Sequence, residues 1–245
     1  MTTYQSAKYN DNRPNVGVTV VPFIYEDNIL KTLVYKRASN AEVFADQYSL
    51  PNAIFDIKKF ENAEKTAEFA MSEKINLKLK HIEQIHTFSG LYIDPDRINT
   101  VNICYLSICN KEDITTLGDS KYNYSWISVE KLLDMNLAFN HNEVLELAYK
   151  RLKSKAEYTA LTAHMLGESF TISEFRNLIE LLIEEELDNS RFRDRLKKSD
   201  VLIPLPDQFK LGSNRPAQLY KLNEDYTDYF YPKSLTKPKA KNKAS

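Results

Sequence analysis

The periodicity of the apolar residues changes once along this chain, and that change limits the folds open to it. Up to Trp126 they fall in alternating, β-branched runs, Val16 to Tyr25, Lys31 to Arg37, His81 to Ser89, Val101 to Ile108 and Tyr122 to Ile127, each of strand length. Glu-Asp-Asn, residues 26–28, falls between the first two, which predicts a hairpin. One helix, over about Asn62 to Lys74, interrupts them. After Trp126 helical spacing takes over: Ser128 caps a short helix to Leu133, and Val144, Leu145, Leu147, Ala148 and Leu152 mark another from Asn142 to Lys155. The shift divides the 245 residues into a strand-rich domain over 1–150, a helical domain over 151–225 and a flexible tail over 226–245.

Charge divides the same way. The net charge of −1 conceals a balance of 16 Lys and Arg against 20 Asp and Glu in residues 1–150, and of 17 against 14 in the remainder. Within 191–221 eight basic residues face three acidic ones, the electrostatic footprint of a nucleic-acid module. No apolar run approaches the roughly 18 to 20 residues of a membrane span, and the polar start Met-Thr-Thr-Tyr-Gln-Ser lacks a secretory core, so a cytoplasmic protein with no membrane partner is expected. Cys104 and Cys109, five apart on an apolar run, suggest neither a disulfide framework nor zinc, and read as core or strand residues. His81, His86, His141 and His164 share no metal-ligand spacing; His86 is the one considered as a pocket residue.

Residues 48–77 have the outline of a Nudix box, Gly-x5-Glu-x7-Arg-Glu-hydrophobic-x-Glu-Glu-x-Gly-hydrophobic, without its metal site. Mg2+ takes several hard oxygen ligands in near-octahedral geometry, which the box supplies from one helical face together with substrate phosphates. Counting back from Leu77, Phe69 stands where the Arg belongs, Ala70 at the first helix Glu, Glu73-Lys74 at the Glu pair and Asn76 at the closing Gly. Upstream, Asn52 and Ala53 replace the glycines of the turn, and Glu61 matches the isolated Glu only with two extra loop residues. Glu61, Glu64, Glu68 and Glu73 then read as a solvated helix face. Hydrolysis is not expected, while a retained pocket is.

The second half has the pattern of a helix-turn-helix with a wing. Thr171-Ile-Ser-Glu174 is a capping box opening a helix to about Ile183. Asp188 or Asn189 caps a second helix, in which Phe192 and Leu196 pack inward and Arg191, Arg195 and Lys198 project elsewhere. Val201-Leu-Ile-Pro and Gln218-Leu-Tyr-Lys-Leu then flank the basic tip Lys210 to Arg215. Arginines on such a helix can read guanine edges in the major groove while the wing meets phosphates. The candidate DNA contacts are Thr171, Ser173, Asn189, Ser190, Arg191, Arg193, Arg195 and Lys197 on the helices, and Lys210, Ser213, Asn214 and Arg215 on the wing.

In order and spacing, Leu33-Val-Tyr-Lys-Arg37, Leu50-Pro51, Glu83 to Phe88, Asp94-Pro95 with Arg97, Phe139-Asn-His141, Phe170-Thr-Ile-Ser-Glu174, Arg191-Phe-Arg193 and Arg215-Pro-Ala-Gln-Leu-Tyr220 resemble the NrtR family of Nudix-related transcriptional regulators. The resemblance implies an α+β protein: an N-terminal Nudix-like α/β/α sandwich with a mixed sheet, followed by a winged helix-turn-helix. It implies a homodimeric repressor of NAD metabolism, not an enzyme. ADP-ribose or a related phosphorylated ligand would release it from a double-stranded operator, with no cofactor required. By motif it places Arg37, Phe55, Glu61, Glu73, Thr87, Phe88 and Arg97 around the ligand, the two arginines suited to phosphate. Relatives also control sugar catabolism. The sequence is also compatible with a true hydrolase using Glu61 and Glu73, or with a basic helix that docks an acidic protein.

Overall fold

The computed structural model describes residues 14–77, 79, 81–90, 100–110, 112, 123–210, 216–226, 230 and 232–236. The chain divides into two compact units, one of residues 1–23, 31–107 and 113–148, the other of 24–30, 108–112 and 149–245.

The first unit is built on one sheet. β1 (Asn15–Glu26) and β2 (Ile29–Lys36) form the hairpin, turned by Asp27 and Asn28 at φ 54° and 62°. Two left-handed residues give the twist that a two-residue hairpin needs, and Asp and Asn tolerate that region better than other side chains. The run Val18 to Ile24 is buried without alternation, because β1 lies at the sheet's centre and is covered on both faces. β3 (Tyr48–Ser49) joins β2, and β4 (Asn52–Ile54) joins β1, with Gly17 opposite Ile54. After α1 (Ala63–Ile75) come β5 (His81–Gly90), β6 (Thr100–Ile108) and β7 (Tyr124–Ser128); β7 lies antiparallel to β2, with Trp126 opposite Leu33. The main strand order is β3-β2-β1-β6-β5. The sequence missed β3 and β4, which at two and three residues are too short to carry a period.

α1 starts where Asn62 accepts from the amide of Lys65 at 2.9 Å, and stops at Asn76, which takes the left-handed conformation at φ 56°. Asn76 thus serves the conformational role of the box's closing Gly. Thr66, Ala67, Ala70 and Met71 are the buried face of this helix. α2 (Val129–Leu133) has Ser128 as its cap, and α3 (His141–Tyr158) runs through both units.

In the second unit a 3-10 turn (Leu161–Leu166) precedes α4 (Ile172–Ile183), α5 (Asn189–Lys197) and the ribbon β8 (Leu202–Lys210) with β9 (Ala217–Leu222). Both halves of the Thr171–Glu174 capping box form, and Asp188 caps α5 by accepting from Arg191 N–H at 2.9 Å. Phe170 extends the ribbon by exchanging two backbone hydrogen bonds with Tyr220. The core is aromatic: Phe175 lies 5.8 Å from Phe170, 5.9 Å from Phe192 and 6.2 Å from Phe230, ring centre to ring centre.

The expected flexible tail from 226 needs correction. Phe230 is fully buried, its amide bonds Tyr158 O at 3.0 Å, and Leu235 O accepts from Asp188 N–H at 2.9 Å at the start of α5. Periodicity could not reveal this, since single apolar residues in a polar stretch have no period.

Candidate ligand pocket and nucleic-acid interface

A cavity of about 260 Å³ opens on the first unit. Alternate residues of β1 (Asn15, Gly17, Thr19) and of β6 (Thr100, Asn102) line it, as side chains two apart share a sheet face. Asn52, Ala53 and Ile54 of β4, then Arg37, Phe139, Asn140 and His141, complete the wall.

Arg37 is held flat. Its Nε and Nη2 donate to Val43 O at 3.1 and 3.0 Å, and its guanidinium lies 4.9 Å from the centre of the Phe139 ring. The remaining guanidinium hydrogens have no partner among the described residues. Phe139 itself sits at φ 58°, where a bulky residue is a genuine outlier, and is held there between Phe44 at 4.8 Å and His141 at 5.4 Å. Strain of that kind, of order 1 kcal/mol or more, persists where surrounding packing over-determines it and clusters at binding sites.

Behind Arg37 is a buried polar chain. Thr19 Oγ1 donates to Asn102 Oδ1 at 2.9 Å, and Asn102 Nδ2 to Asn140 Oδ1 at 3.5 Å. Asn140 is 5% exposed, and its Nδ2 has no hydrogen-bond partner among the described residues. His141 Nδ1 accepts from Leu50 N–H at 3.0 Å and lies 3.2 Å from Ser49 Oγ. Burial, helped by the charge of Arg37, pushes the His141 imidazole down to about 3, so the ring is neutral with its proton on Nε2.

Of the seven residues placed at the ligand by resemblance, the cavity takes Arg37. Phe55 is half-buried just beyond β4, its amide bonded to Val16 O at 2.8 Å; Glu61 is exposed before α1; Glu73 lies in the last turn of α1. Thr87 is exposed and Phe88 half-buried on β5, and Arg97 is outside the described residues. His86 is exposed against Phe88 at 4.5 Å, so the pocket histidine is His141 and not His86. The signal that could have found the wall is the polar residue inside a buried strand, Thr19 on β1 and Asn102 on β6.

The residues present do not fit the Mg2+ site that a Nudix box implies. Ala70 is fully buried where the first helix Glu belongs, Phe69 packs on Phe60 at 4.8 Å where the Arg belongs, and among the described residues no carboxylate lines the cavity. Among the described residues no three His, Cys, Asp or Glu side chains are grouped to hold a metal ion.

On the second unit, α5 turns Phe192 and Leu196 inward and leaves Asn189, Ser190, Arg191, Arg193, Arg195 and Lys197 exposed. Arg191 Nη2 donates to Ser234 O at 2.9 Å, whereas Arg193 has no hydrogen bond or ion pair among the described residues. Thr171 is buried with its hydroxyl committed to the capping box, and Ser173 is exposed beside it. Lys210, at the end of β8, pairs with Glu174 at the start of α4. Burial would raise the Glu174 carboxyl, but hydrogen bonds from Lys210 and Thr171 outweigh it and hold the group below its usual range. Ser213, Asn214 and Arg215 are outside the described residues. No helix among the described residues is long and apolar enough to cross a membrane.

Residues 162–222 match the NrtR DNA-binding winged helix domain family. The chain is 27% identical over 239 residues, 98% of its own length and 93% of the relative's, to an ADPR responsive transcriptional repressor, NtrR, of Acinetobacter baylyi. It is similar to Shewanella oneidensis NrtR crystallised with a 27mer DNA, at a TM-score of 0.77 and 30% identity over 85% of this chain and 93% of that one. The NUDIX domain of the same protein, crystallised with ADP ribose, matches at a TM-score of 0.53 and 28% identity over 61% of this chain and 94% of that one.

Proposed function

The chain belongs to the NrtR family, and from that premise we propose that it is a transcriptional repressor of NAD-related metabolism, bound to operator DNA through its second unit and released when ADP-ribose occupies the cavity of its first. The observation that carries the reading is α5. It is a capped helix with two buried apolar anchors and exposed positions on both sides of them that carry three arginines and Lys197, followed in the chain by a ribbon whose first strand ends in Lys210. A helix of that kind enters the major groove, and a homodimer would place two of them on half-sites one or more helical turns apart.

The cavity supports the effector half of the reading. Arg37 offers a planar, fixed donor to a phosphate, and the first residue of α3, His141, lines the wall. α3 continues from there into the second unit, so a ligand that binds one position of its first turn better than another biases the second unit through a continuous helix. Only that difference in affinity can drive release. Hydrolysis is not part of the proposed function: the buried Ala70, where the box has its first helix Glu, and a cavity wall without a carboxylate among the described residues support that reading.

Fluorescence anisotropy on DNA from upstream of its own and neighbouring genes, at physiological salt, tests the reading. Selective binding over scrambled duplex is expected; equal affinity for both would remove the operator from the proposal.

A further inference from the structure

Among the described residues the cavity has one cation, no anion and an unused donor. Arg37 supplies the charge, oriented by Val43 O and the Phe139 ring. Asn140 lines the same wall at 5% exposure, with its Oδ1 accepting from Asn102 and its Nδ2 left without a partner among the described residues. A buried donor left unpaired carries a desolvation penalty that a ligand oxygen can relieve. α3, 18 residues long, begins at the next residue and adds the partial positive charge of a helix N-terminus to that wall. The wall therefore offers an anion direct protein donors, where a Nudix enzyme would interpose Mg2+.

We propose that this cavity holds the phosphate of its ligand without a metal ion, through the Arg37 guanidinium and the spare amide hydrogens of Asn140. This rests on the reading of the cavity as the effector site and assigns Asn140 as a ligand-binding residue. Asn140→Asp keeps the acceptor that Asn102 uses and replaces the donor by a charged oxygen that repels phosphate; Asn140→Leu, neutral and close in size, removes the donor without that charge and is measured beside it.

Isothermal titration of the full chain with ADP-ribose, and separately with inorganic pyrophosphate, in Mg2+ and in EDTA, tests the proposal. ADP-ribose affinity is expected to agree within about 2-fold in the two buffers, and Asn140→Asp to weaken it by about 10- to 100-fold. An affinity that requires Mg2+, or an Asn140→Asp protein that binds like the parent, overturns the metal-free contact and leaves the ADP-ribose reading standing. Pyrophosphate binding that is lost in Arg37→Met, with no ADP-ribose binding at all, supports the phosphate site and overturns ADP-ribose as the effector. Binding of neither overturns both. The buffer comparison uses the unaltered protein, so it decides even if a variant fails to fold.

Discussion

The amide N–H of Leu50 donates to Nδ1 of His141 over 3.0 Å, and this one bond ties the strand region beside the cavity to the first residue of α3. It needs the imidazole neutral. Burial and Arg37 hold the folded-state value at about 3 against an ordinary 6.5, so only the unfolded chain takes up a proton as the pH falls through 6.5. The stabilisation is complete above 6.5 and is lost progressively down to about 3. Between pH 7.5 and 5.0 this is worth about 2 kcal/mol. Urea unfolding followed by the single tryptophan, Trp126, should show the parent losing that much more than His141→Gln over the interval. Equal losses would mean that His141 is not buried neutral.

Phe230 completes the aromatic core with Phe175 and Phe192 although it lies beyond β9. Phe230→Ala should cost about 3–5 kcal/mol, the range for emptying a well-packed phenylalanine site. Thermal denaturation followed by circular dichroism measures it. A melting temperature within a degree of the parent would show that the ring does not belong to the core.

Arg193 and Arg191 project from the same helix, but Arg191 is tied to Ser234 O. Arg193→Ala should weaken operator binding about 10-fold or more while leaving the melting temperature and ADP-ribose affinity unchanged, as expected for loss of a base-edge contact. Normal operator binding by this variant would exclude Arg193 from recognition.

Lys210 is 60% exposed and its Glu174 partner 34%, so their ion pair is a weak one that a DNA phosphate can displace. Lys210→Ala should change stability by less than about 1 kcal/mol and lower the slope of log affinity against log salt by about 1. An unchanged slope would remove Lys210 from the phosphate contacts.

The DNA-facing unit was the more legible in the sequence. Its helices begin at side-chain caps and carry their apolar residues at helical spacing, so Thr171, Phe192 and Leu196 could be placed from local rules alone and the second cap narrowed to Asp188 or Asn189, of which the structure uses Asp188. The cavity could not. Its wall gathers Thr19, Arg37, Asn102 and Asn140 from distant strands and turns, a grouping that only the sheet register creates. The motif frame pointed instead at Glu61 and Thr87, which the structure leaves exposed. His141 was hidden for the same reason: its partners, Ser49 and Leu50, lie more than ninety positions away.

In the proposed function one ligand couples the two units, and the decisive quantity is operator affinity with and without ADP-ribose. Anisotropy titrations on a selected upstream duplex, at fixed salt, should show affinity falling about 5- to 150-fold at saturating ADP-ribose, the usual range for coupling between sites. The same fall should be absent on scrambled DNA. An operator affinity that stays the same when the cavity is saturated would contradict the account, leaving a DNA-binding protein whose pocket does not govern its release.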